Sequence, residues 1–201
     1  DSRCIVLSQA QSLYPKSEQI LKDKLDCAVW YEKQDKNERA IEIADSIIPN
    51  YKEAKVIKAK ALCNLANKES DVDIMVQYVE KATEVLQSQK NSKLKGTEEV
   101  EIKIQETLLA AAEKYYVLGS LDNCYQILHK LAKQGFVKAL QSIISHRLNE
   151  VQKCLNKKKK KESVLNAISE IGGFDISPII NTADYCTLWS EKINATIEEC
   201  K

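Results

Sequence analysis

The chain has 201 residues, 30 of them basic against 29 acidic, with only 5 Gly and 3 Pro. That length allows one medium domain or two small ones with a real core, and the balanced charge excludes a global field that would recruit nucleic acid or an anionic membrane. No apolar run approaches the ~20 residues of a membrane-spanning helix, and the scarcity of turn residues argues against a fold of many short strands.

Taken in order, the pattern predicts ten helices, over 3–13, 16–34, 37–48, 51–67, 71–89, 97–117, 121–133, 136–156, 162–171 and 177–198. Pro49 and Asn50 stop the third before the fourth begins. In the fourth, Ile57, Ala61, Leu62 and Leu65 form an apolar stripe. Val72, Met75, Val76, Val79, Ala82, Val85 and Leu86 recur at three and four in the fifth, and Asp71 stands where an N-cap accepts a free backbone N–H. Leu140, Ile143, Ile144, Leu148, Val151 and Leu155 repeat that spacing in the eighth. The polar stretch SQKNSKLKGTEE, from Ser88 to Glu99, is the weakest part of the pattern. It divides the chain into an N-terminal half, 1–90, and a C-terminal half, 97–201. NKKKKKES and GGFDISP interrupt it again, the second because Gly172, Gly173 and Pro178 force a loop.

The halves repeat one phrase. DCAVWYEKQDKNERAIEIADSI, from Asp26 to Ile47, overlays AAAEKYYVLGSLDNCYQILHKL, from Ala110 to Leu131, so that Ala28 falls on Ala112, Tyr31 on Tyr115 and Ala40 on Cys124. A small residue and a Tyr three positions on share one helix face. The small residue lets a second helix approach closely, and the ring fills the space one turn further along. The segments 24–65 and 108–149 resemble tetratricopeptide repeats, whose helix–turn–helix units stack to bury a shared core. The resemblance implies an all-α fold of antiparallel helical hairpins stacked as a degenerate solenoid in two halves. It is degenerate because the family's Trp, Gly and final Pro positions are not all filled, Pro49 comes early, and 136–156 is long for a repeat helix. The carboxylate clamp of some family members expects Asn where this chain has Val29 and Glu113. Any groove here is expected to bind something else.

Seven cysteines stand at 4, 27, 63, 124, 154, 186 and 200, with no C-x-x-C and only His129 and His146 beside them. Zinc-ligand spacing is absent, and neither a metal nor a cofactor is expected. Dispersed cysteines suit structural disulfides in a secreted protein; the alternative is small core residues of a cytosolic one. Cys27 with Cys63 and Cys124 with Cys154, separated by 36 and 30 residues, are candidate pairs, as is Cys4 with Cys200 or Cys186. The chain opens on DSRCIVLSQA without Met, so either a signal peptide has been cleaved or the terminus has been trimmed. Asn194 begins a sequon, Asn194-Ala195-Thr196, that a secreted protein could glycosylate. Two halves carrying Cys27, Tyr31, Cys63 and Cys124, Tyr125, Cys154 also resemble the BICYCLE proteins of gall-forming aphids, a salivary family named for paired Cys–Tyr–Cys motifs. That resemblance implies a secreted effector acting in plant tissue without enzymatic activity. The Cys-to-Tyr gap, four residues in one half and one in the other, departs from an even mapping.

No catalytic constellation is legible. Cys124 and His129 lie five residues apart, an awkward angle on one helix. A pocket holding His129 or His146 against a carboxylate with a perturbed pKa would revive an enzyme reading. Gly172-Gly173 lacks the Lys and helix start of a phosphate loop. The run Lys157–Lys161 reads as a solvated helix end or loop, and Trp30 and Trp189 read as buried packing residues. The expectation is a non-enzymatic helical-repeat protein that binds a protein partner, secreted or else cytoplasmic, with nucleic acid not expected as a partner.

Overall fold

A computed structural model describes residues 2–87, 94 and 96–156, giving the backbone alone for residues 2, 148 and 150–156. Among the described residues there are eight helices and no strand: α1 (Ser2–Leu13), α2 (Glu18–Lys33), α3 (Asn37–Ile47), α4 (Ala54–Lys68), α5 (Val72–Gln87), α6 (Thr97–Val117), α7 (Leu121–Lys133) and α8 (Val137–Asn156). The all-α expectation holds, and consecutive helices pack on one another from α1 to α5 and again from α7 to α8. The expected helices at 162–171 and 177–198 lie outside the described residues, as do Lys157–Lys161 and the loop at 172–178.

Helix ends follow local chemistry. Asp71 Oδ1 accepts from the backbone N–H groups of Asp73 and Ile74 at 2.9 and 3.2 Å, the expected N-cap of α5. The start of α4 differs from the expected 51. Pro49 follows Ile48, and Ala54, Lys55 and Val56 donate to the carbonyls three residues back, at 3.1–3.3 Å. Residues 51–53 therefore form a tight turn that leads into the α-helix at Ala54.

The chain divides into two compact units, Asp1–Ala111 and Ala112–Lys201, so the division falls inside α6. Most of Ser88–Glu99, where the sequence placed its boundary, lies outside the described residues. In the first unit, Cys4, Cys27, Ala28, Tyr31, Ala40, Ile43 and Ala61 make one core cluster, while Leu21, Ala44, Ile47 and Ala54 make another. Helix α4 is the most enclosed element: Ala54, Ala59, Ala61, Cys63 and Ala66 have no exposed surface. Small side chains on several of its faces let α2, α3 and α5 come close, where a single stripe would have served one neighbour.

A buried polar chain fixes the register of this unit. Asn37 has no exposed surface, and its Nδ2 donates to Asp35 Oδ1 at 2.9 Å. Asn64 Nδ2 donates to Asn37 Oδ1 at 3.0 Å and to Glu32 Oε1 at 2.8 Å, and Lys103 Nζ donates to Asn64 Oδ1. Four helices, α2, α3, α4 and α6, are tied through the one amide of Asn64. Among the described residues no buried side-chain N or O lacks a partner, so the network is satisfied and specifies one arrangement.

Candidate functional site

The repeated phrase folds into the same local structure twice. Ala28, Tyr31 and Ala40 are buried, as are Ala112, Tyr115 and Cys124. Lys36 N–H donates to Tyr31 O at 3.0 Å and Ser120 N–H to Tyr115 O at 2.9 Å. Inside these, Asp35 N–H donates to Glu32 O and Gly119 N–H to Tyr116 O, at 3.0 and 3.1 Å. This nested pair of bonds ends a helix through a left-handed residue, and both turns supply one: Asp35 at φ 61° and Gly119 at φ 78°. The wedging Tyr thus also offers the carbonyl that closes its own helix.

In the second unit, Cys124 belongs to a cluster that its neighbours in sequence do not reveal. His146 Nδ1 lies 3.7 Å from Cys124 Sγ, and His146 Nε2 lies 2.8 Å from Glu113 Oε2. Helix α6 supplies the carboxylate, α7 the thiol and α8 the imidazole. Tyr116 stacks flat on His146 with ring centres 3.7 Å apart, and its hydroxyl donates to the His146 carbonyl at 3.3 Å. With Nε2–H directed at Glu113, Nδ1 is left to accept the thiol proton. Thiol, base and orienting carboxylate are the three roles of nucleophilic catalysis. Cys124, however, has no exposed surface and His146 is 5% exposed. In this arrangement the sulfur is sealed from solvent.

His129, the neighbour that sequence spacing offered to Cys124, instead lies 6.2 Å from the Tyr125 ring, centre to centre. Burial, with the positive charges of Arg147 and Lys133, holds its imidazole below the usual value. Sequence reading missed the true partner because α8 brings His146 in from another helix. The available signal was register: His146 follows the apolar Ile143 by three residues, on the stripe that faces the core.

The disulfide expectation is corrected for the described thiols. Cys4, Cys27, Cys63 and Cys124 are buried and outside any disulfide, so neither Cys27–Cys63 nor Cys124–Cys154 forms, nor does Cys4 pair with Cys200 or Cys186. Ala61 and Ile57 are the α4 residues packed on the Cys27 cluster, and Cys63, two residues beyond Ala61, is rotated about 200° from it around the helix. Burial raises the Cys63 thiol to about 11, against a smaller opposing pull from Lys103. Burial and the adjoining Cys4 thiol likewise raise Cys27. Cys186, Cys200 and Asn194 lie outside the described residues, as does the side chain of Cys154.

Trp30 is also corrected. It is 52% exposed, edge-on to Tyr31, with Lys36 Nζ 5.9 Å above its ring. Trp30 lies about 100° round α2 from Tyr31, outside the arc that buries Leu21, Lys24, Ala28, Tyr31 and Glu32. Trp189 lies outside the described residues. In the second unit, Val117 and Leu118 are more than two-thirds exposed, and Leu121 and Val137 a little over one-third. Among the described residues no group of His, Cys, Asp and Glu could hold a metal ion, and no helix is long and apolar enough to cross a membrane. In comparisons with known proteins, the chain matches no family model, no curated protein and no solved structure.

Proposed function

We propose that this chain is a non-enzymatic, tetratricopeptide-like helical-repeat protein that works by binding a protein partner. One observation carries the reading: the small–Tyr–small phrase is buried and closed by the same nested hydrogen bonds in both places where it is written. Stacked hairpins of this kind offer an extended surface. The first unit exposes the large apolar side chain of Trp30, and the second, taken by itself, exposes Val117 and Leu118. The spacing of cysteines and tyrosines extends the reading to a secreted salivary effector that acts in plant tissue. Its test is retention of a defined partner from plant extract on the immobilised protein, lost in Trp30→Glu or Leu118→Glu variants of unchanged helicity. Equal retention by wild type and both variants would overturn it.

A cytosolic scaffold with the same binding mode is the second reading, favoured by four buried cysteines that stand outside any disulfide. Seven titratable thiols in denaturant without reductant support this alternative. A blocked pair among the other three cysteines supports secretion.

A further inference from the structure

Helices α1 and α3 flank a groove of about 510 Å³ whose floor is Lys24 of α2. The lysine is 4% exposed. Its Nζ donates to Gln11 Oε1 at 2.6 Å and to Ser46 Oγ at 2.7 Å. Both partners are fixed as acceptors. Gln11 Nε2 donates to the Ser46 carbonyl at 2.9 Å, which turns the amide oxygen toward Lys24. Ser46 gives its own hydroxyl proton to the Ile43 carbonyl at 2.7 Å. An ammonium has three N–H donors, so one remains beyond these two neutral acceptors. No carboxylate among the described residues pairs with Lys24. The other cation of the lining, Arg39, is engaged by its one carboxylate, Glu42, at 2.6 Å.

A cation held nearly dry by neutral partners is costly unless an anion accompanies it. Burial pushes the Lys24 amine below its ordinary value, and an anion in the groove would restore it. We propose that this groove binds a monocarboxylate bearing a short aliphatic chain. One uncompensated positive charge matches one carboxylate. The hydroxyl of Ser8 stands in the lining to take a further lone pair, while Ser12 gives its own proton to the Gln9 carbonyl at 2.6 Å, and Ile5 and Ile43 line the same groove to meet the chain. This site is independent of the partner-binding reading.

Calorimetric titration of the full chain with hexanoate, acetate and inorganic phosphate tests the proposal. Hexanoate binds at least about tenfold more tightly than acetate, through its added methylenes, and phosphate binds more weakly than hexanoate. Lys24→Met weakens hexanoate at least about tenfold. Because Lys24 is buried, Ser8→Asp provides a second variant: Ser8 is exposed, and a carboxylate there competes for the same charge, giving a loss of similar size. The proposal is overturned if millimolar hexanoate gives no heat with the wild type, if folded Ser8→Asp binds it equally well, or if phosphate equals it.

Discussion

Cys63 and Cys124 are both sealed, yet their neighbours differ in kind. Cys63 sits among alanines and leucines of α4, and its thiol titrates near 11 instead of near 9. The folded state therefore keeps a proton that the unfolded chain releases, so stability is full below about pH 9 and falls as pH rises toward 11. The loss amounts to roughly 3 kcal/mol. Urea midpoints measured across that window should fall for the wild type and fall less for Cys63→Ala. Cys124 faces an imidazole instead. With no exposed surface, it is expected to react with iodoacetamide at neutral pH only as fast as the unit opens, no faster in the wild type than in His146→Gln. A rapid native reaction that slows on replacing His146 would show thiol activation and remove the non-enzymatic reading.

At the scale of the helix, caps and turns decide where elements stop. Asp71→Ala removes two bonds to the first turn of α5 and should cost about 1 kcal/mol in thermal or urea unfolding. Gly119→Ala meets no atom within 4 Å of the added methyl, so its cost, about 1–2 kcal/mol, comes from the left-handed backbone alone. Asp35 occupies that conformation without being glycine, and its carboxylate is held by Lys68 at 2.6 Å and by Asn37. These elements were legible because periodicity and turn residues act over a few positions. The eight described helices begin and end within about three residues of where spacing placed them. What periodicity cannot give is the azimuth at which one helix meets another. That is why the Cys27–Cys63 pairing failed, why Trp30 turned outward, and why His146 found Cys124 unannounced. Lys24 reads as one more solvated lysine until α1 and α3 close over it.

Over the whole first unit, α4 carries the burial and Asn64 carries the register. Amide exchange should be slowest in α4, where Ala59, Ala61 and Ala66 are completely enclosed. A fragment ending at residue 90, where composition suggests a boundary, lacks the buried Val100 and Ile104 and the Lys103 donor. It should be less stable than 1–111 by about 3 kcal/mol or more, read from urea midpoints. Equal midpoints would mean that α6 contributes nothing to this unit.

The reach of Asn64 to Lys103 has a temporal side. During synthesis the four helices α1 to α4 are complete while the amide oxygen at their centre still awaits a cation encoded some forty residues later. The growing chain can gather its early hairpins, and the last bond of their polar network closes only once α6 has left the ribosome.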